Sequence, residues 1–290
     1  MTASQEIDSL VPAPGDGSRR AFMRAGVGAG FAAAVLPVAS QTVVKTDSNG
    51  LDVGEVLIPA GDFKLPAYRA APAGRRNAPV VLVISEIFGV HEHIADVARR
   101  FAKLGYFAVA PELFVRQGDA GSYGEIAKLV SEVIAKTPDA QVMSDLDATV
   151  AWARSQGAAA DRLGITGFCW GGRTTWMYSA HNAAVKAGVA WYGPVARSYF
   201  PGDATALSVA PRIQAAMLGL YGADDSGIPN DTVQQMRDAL KLAGNQRSEL
   251  VLYPDTPHAF HADYRASYRQ AAAEDGWKRC VAWFKAHGVV

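Results

Sequence analysis

Cys169 lies within Leu163 to Thr175, a run that reads L-G-I-T-G-F-C-W-G-G-R-T-T. An apolar stretch rich in β-formers, Leu163 to Thr166, enters a Gly-x-Cys-x-Gly turn and leaves into a helical segment. Such a strand–turn–helix lifts one side chain above the end of a parallel sheet, the layout of a nucleophile elbow. Gly167 and Gly171 stand where a side chain would collide with the adjoining strand or helix, and Gly172 relaxes the same crowding. The Cys169 thiol is therefore the candidate nucleophile. The backbone N–H of Trp170, at the helix start, is aimed to bind a developing oxyanion.

A thiol nucleophile needs a base to take its proton, and the base needs a third group to fix its tautomer. In this kind of sheet the order is nucleophile, acid, histidine, each on a loop after a strand. Here Cys169 is followed by Asp224-Asp225, after a strand ending at Tyr221, and by His258, after a strand ending at Tyr253. Both partners fall at carboxyl ends of strands, where open α/β sheets bind ligands. Order alone leaves Asp224 and Asp225 both open.

The elements that must position these groups alternate along the chain. Two extended pieces, E-V-L-I-P and K-L-P-A-Y-R, are split by Gly61-Asp62 and read as an antiparallel edge hairpin. Pro79 to Ser85 is an apolar run suited to a central parallel strand. Ile94, Val97, Ala98, Phe101 and Leu104 recur at helical spacing, and Phe107 to Ala110 is the next strand. Helices follow around Ile126 to Val133 and after Pro138-Asp139; further strands are expected at Ala187 to Trp191, Ile213 to Tyr221 and Glu249 to Tyr253. Val233, Met236 and Leu240 mark a helix between the last two strands. A last helix carries Ala273, Trp277, Cys280 and Phe284 on one face. The expected class is α/β, a mostly parallel sheet with helices on both faces.

With 290 residues, 49% of them hydrophobic, the chain can bury one large α/β core. Lys plus Arg equals Asp plus Glu at 28 each, so the charge balance points to no nucleic-acid partner. Two cysteines exclude a disulfide framework. Residues 1–40 differ from the rest: Ser18-Arg19-Arg20-Ala21-Phe22-Met23 precedes Ala25 to Val38, a mildly hydrophobic run. A twin arginine before such a run reads as a Tat export signal, with cleavage near Ala39 or Ser40. The expected organisation is thus a leader, residues 1–40, and one domain, residues 41–290. The Tat export machinery is an expected partner and the periplasm or exterior the expected location, the cytoplasm if the leader is not a signal. No apolar run reaches the ~18 residues of a membrane span, so no stable membrane insertion is expected after removal of the leader.

Five motifs carry a resemblance to the dienelactone hydrolase family of α/β-hydrolases: E-I-F-G-V at Glu86, A-P-E-L-F-V-R-Q at Ala110, G-F-C-W-G-G at Gly167, D-S-G-I-P at Asp225 and P-H-A-F-H at Pro257. They occur in order and span nearly all of the chain after the leader. The resemblance implies an α/β-hydrolase fold and cleavage of a small ester or lactone, as by a carboxymethylenebutenolidase, with no metal or cofactor. It selects Asp225 as the triad acid. It also implies that Glu86 takes the thiol proton when substrate binds, for which a dry cleft would raise its pKa. The Ile87 N–H is the implied second oxyanion donor. Two arginines hold a substrate carboxylate in the family; Arg116 matches the first through P-E-L-F-V-R-Q. At the second position this chain has Ala262, and the nearest arginine is Arg265.

Other residues have more ordinary readings. His91 and His93, two apart, are expected to face different ways and reach solvent rather than bind a metal. Cys280 shares a face with Trp277 and Phe284 and reads as a buried, inert thiol. Arg173 reads as a structural or helix-surface charge. Trp170, Trp191 and Tyr192 either line a cleft or pack. The rival to ester hydrolysis is a non-catalytic binding protein or thiol redox sensor, and a sensor would want a resolving cysteine near Cys169.

Overall fold

The computed structural model describes residues 42–290; the expected leader lies outside the described residues. Strands β1 (Leu51–Ala60) and β2 (Phe63–Pro72) form a hairpin whose turn is Gly61-Asp62. Then follow β3 (Pro79–Ile84), α1 (Glu92–Lys103), β4 (Phe107–Pro111), α2 (Ile126–Glu132), α3 (Asp139–Ser155) and β5 (Ala159–Phe168). The second half contains α4 (Trp170–His181), β6 (Val185–Trp191), α5 (Ala206–Val209), β7 (Ala216–Gly222), α6 (Asn230–Leu242), β8 (Glu249–Tyr253) and α7 (Gln270–Ala286).

One eight-stranded sheet runs in the order β1-β2-β4-β3-β5-β6-β7-β8. The β1–β2 and β2–β4 pairs are antiparallel, and every pair from β4 to β8 is parallel. This is the α/β-hydrolase arrangement. Each residue of β3, P-V-V-L-V-I, is buried, as a central strand covered by helices on both faces requires. The hairpin is less covered: β1 is mostly half-buried or exposed, and β2 mixes buried with half-buried positions.

Several strand limits move from the sequence expectation. β5 begins at Ala159 because its polar Asp161-Arg162 lies at the outer end of the sheet, where Arg162 bonds the carbonyls of Asn77 and Val290. β7 begins at Ala216, because Ala210 to Arg212, with Pro211 inside, form one helical turn before it.

The parallel strands end on one edge, and that edge gathers the chemistry. Glu86 follows β3 by two residues, Cys169 joins β5 to α4, Asp225 follows β7 and His258 follows β8. No described helix is long and apolar enough to cross a membrane.

Candidate active site

Cys169 has φ 55° and ψ −115°, a left-handed conformation that a side chain adopts only when its surroundings impose it. Its N–H donates to the Trp191 carbonyl at 3.0 Å, and its carbonyl accepts the Arg173 N–H at 3.0 Å. Glycine is required on either side. A Cβ on Gly167 would strike the Gly171 carbonyl, and one on Gly171 would strike the carbonyls of Ile84 and Ser85 at the end of β3. The turn thus presses α4 against β3 and leaves the half-buried thiol at the sheet edge.

His258 faces that thiol within hydrogen-bonding reach. Its Nδ1 lies 2.6 Å from Asp225 Oδ2, and Asp225 Oδ1 accepts the Gly227 N–H at 2.9 Å. The neighbouring Asp224 is exposed and makes no contact with the histidine. Burial pulls the His258 pKa down, but the negative charge Cys169 can carry and the Asp225 carboxylate outweigh it and raise it to about 10. The imidazolium form of His258 is therefore favoured once Cys169 carries a charge.

The first helical turn of α4 leaves the Trp170 N–H without an acceptor inside the helix. Ile87, one residue after Glu86, makes no backbone hydrogen bond through its N–H among the described residues. Both expected oxyanion donors thus keep a free N–H, one from each side of the β3–α4 contact.

Glu86 is 2% exposed, with Oε2 3.3 Å from His91 Nε2, and neither of its oxygens accepts a well-directed hydrogen bond. The expectation of a raised pKa is corrected here. Burial pushes the carboxyl up, but the His91 contact and the positive field that includes Arg265 hold it down at about 2. The resting carboxylate is charged and a weak base. Burial in turn keeps His91 below the ordinary histidine range, more than its contact with Glu86 restores.

His91 and His93 are buried, not solvent-exposed. His91 precedes α1 in extended conformation, so the two side chains do not diverge as they would from one helix. Both pack on Tyr264, at ring separations of 5.1 Å and 5.3 Å. The Tyr264 hydroxyl accepts Arg265 Nη2 at 3.0 Å, and Arg265 lies 5.0 Å over the Phe88 ring. Tyr192, fully buried at φ 38°, packs 5.1 Å from His258, and its hydroxyl has no hydrogen-bond partner among the described residues. The Tyr192 and Tyr264 hydroxyls both feel the charges of Glu86, Cys169 and Arg265. Tyr264 had no signal in the sequence, because the loop that carries it meets His91 and His93 only in the fold.

Arg116 has partners of its own. Its guanidinium pairs with Asp145 on α3 and covers the Phe63 ring at 4.3 Å. Arg173 is a structural charge but not a surface one: it is buried, grips both oxygens of Asp139 at 2.8 and 2.6 Å, and bonds the carbonyls of Arg197 and Ala204. Trp170 and Trp191 pack, against Phe114 and Phe168 respectively. Cys280 is buried, and that burial pushes its thiol well up. No cluster of His, Cys, Asp and Glu suited to a metal occurs among the described residues.

The dienelactone hydrolase family profile matches residues 65–288, which include Glu86, Cys169, Asp225 and His258. The chain belongs to the dienelactone hydrolase family. It is 56% identical over 279 residues to a Methylorubrum extorquens protein provisionally named carboxymethylenebutenolidase, covering 94% of each chain. A protein of the same provisional name from Escherichia coli K12 is 48% identical over 266 residues, covering 89% of this chain and 96% of its own. A crystal structure from Klebsiella pneumoniae, provisionally titled dienelactone hydrolase, superposes with TM-score 0.79 at 50% identity, over 81% of this chain and 98% of that one. This dienelactone hydrolase relative is a carboxylic ester hydrolase, and its substrates are small esters or lactones.

Proposed function

We propose that hydrolysis proceeds through a Cys169–His258–Asp225 triad and an acyl-thiol intermediate. The observation that carries this reading is the elbow itself: a strained Cys169 facing a histidine whose far nitrogen is 2.6 Å from a buried carboxylate. The thiolate attacks the ester carbonyl, and the N–H groups of Ile87 and Trp170 stabilise the oxyanion. His258 delivers a proton to the leaving alkoxide and then draws one from the water that hydrolyses the acyl-thiol.

Substrate controls the state of Glu86 in this reading. A carboxylate on the substrate meeting Arg265 cancels part of the positive field that holds Glu86 down. Glu86 then becomes a stronger base as the ester arrives and takes the thiol proton. We assign the anchor to Arg265 because it is within charge reach of Glu86 and lies against the Phe88 and Tyr264 rings beside it. A carboxymethylenebutenolidase-like lactone is the leading substrate, and a small ester without a carboxylate the alternative. Cys280, buried on α7, offers no accessible partner for a redox pair. The leader reading adds Tat export to the periplasm or exterior.

The test is alkylation of the purified protein with iodoacetamide. Ester hydrolysis should vanish in step with label at Cys169, with Cys280 reacting only after unfolding. Turnover that survives full modification of Cys169 removes the triad mechanism while leaving the fold and family untouched.

A further inference from the structure

The loop that carries Tyr264 and Arg265 has no regular structure of its own between Tyr253 and Gln270, so something outside it must set where those side chains stand. Asp263 supplies the tie. Its Oδ1 lies 2.8 Å from His93 Nδ1 on the first turn of α1, and both side chains are essentially sealed from solvent, at 1% and 0% exposure. Its Oδ2 accepts the backbone N–H of Val44 at 2.7 Å, with Arg100 Nη2 3.9 Å away.

Val44 belongs to a short arm that precedes β1. Two residues on, the Thr46 N–H donates to Asp96 Oδ1 at 2.5 Å, and the Thr46 carbonyl accepts Arg99 Nε at 2.8 Å. The arm is thus stitched to α1 by backbone groups, while the side chain of Val43 is 70% exposed. A backbone donor two residues from such a tie has little freedom to move. A buried carboxylate that must meet such a donor and a buried imidazole together has one orientation open to it. Its own carboxyl is held below the usual range: burial opposes this, and His93, the Val44 N–H and Arg100 prevail.

Asp263 is followed directly by Tyr264, whose ring packs on His93 and His91 and whose hydroxyl accepts Arg265. We propose that Asp263 is a positioning residue for the Tyr264–Arg265 pair, and that the Val44 N–H of the amino-terminal arm holds it in register. The arm makes no contact with substrate; it sets the anchor through one carboxylate. The proposal rests on the reading of Arg265 as the anchor, so its test must separate the two.

Full-length Val44→Pro removes the one donor and leaves every side chain of the site in place. Asp263→Asn keeps the shape and removes the charge. Val43→Pro, whose N–H has no acceptor among the described residues, is the control. Each is assayed well below its unfolding midpoint for the ratio of Cys169 alkylation rates by iodoacetate, an anion, and iodoacetamide, which is neutral. A well-placed Arg265 favours the anion, so the ratio should fall on the order of tenfold in Arg265→Gln. It should fall comparably in Asp263→Asn and Val44→Pro and stay at the wild-type value in Val43→Pro. Asp263→Asn should add nothing in the Arg265→Gln background, which a loss of general stability would not reproduce. An unchanged ratio in both Asp263→Asn and Val44→Pro, or full additivity with Arg265→Gln, overturns the positioning role alone. A wild-type ratio in Arg265→Gln overturns the anchor and this proposal with it.

Discussion

The carboxylate of Asp225 is shared between His258 Nδ1 at 2.6 Å and the Gly227 N–H at 2.9 Å, so the acid is held from behind while it holds the histidine. With Nδ1 committed to Asp225, Nε2 is the nitrogen left for the thiol. Asp224 is one residue away and exposed. Asp225→Asn should lower turnover by about 10²- to 10⁴-fold, since the amide can favour the wrong tautomer. Asp224→Asn should stay within about twofold of wild type, as surface changes do. Steady-state rates on one aryl ester check both; equal losses would break the pairing.

Much of this site was legible because its parts carry local constraints. The turn at Cys169 needs glycine at positions 167 and 171, and those glycines are visible as letters. The hairpin, the buried run of β3 and the alternation of strands and helices follow from periodicities of two and 3.6 residues. What the sequence hid depends on loops returning over the sheet. His91 and His93 looked solvent-facing because spacing on a helix was applied to a residue that precedes the helix. Glu86 looked like a carboxyl raised by dryness, because the charge of Arg265 and the contact with His91 come from residues 179 and five positions away in the chain. Periodicity carries no information on such meetings.

Glu86 yields a pH-dependent stability. Its pKa is lowered from 4.5 to about 2, so the stabilisation is present above pH 4.5 and is lost as the pH falls toward 2. The difference in unfolding free energy between wild type and Glu86→Gln should therefore shrink over that window. Denaturant melts at pH 6, 4 and 3 measure it, and a difference that stays constant would mean the carboxyl is not held down.

Glu86→Gln also bears on turnover. It removes the proton acceptor and keeps the shape, so the rate at neutral pH should drop and partly recover by about pH 9, where hydroxide can take the proton instead. A pH–rate profile parallel to wild type would assign Glu86 a structural part only.

The two arginines separate by substrate. Arg265→Ala should cost ~1.5–3 kcal/mol in kcat/KM on esters bearing a carboxylate and little on neutral aryl esters. Arg116→Ala should affect both classes alike, because it breaks the pair with Asp145 and uncovers Phe63. The reverse pattern would move the anchor to Arg116.

The proposed export is tested on the leader. Residues 1–45 fused to a reporter should carry it across a bacterial inner membrane, and joint Arg19→Lys and Arg20→Lys substitution should stop the transfer. A reporter retained in the cytoplasm with both arginines intact would place the protein there.

The nucleophile is tested most directly by trapping its acyl form. Protein mixed with excess aryl ester is quenched in acid within the first turnovers, then digested and mapped by mass spectrometry. The acyl group should appear on the peptide containing Cys169, rise to its plateau before steady state, and be absent from Cys169→Ala, which should turn over at least about 10³-fold more slowly. An acyl group on another residue, or wild-type turnover by Cys169→Ala, would contradict the thiol mechanism outright.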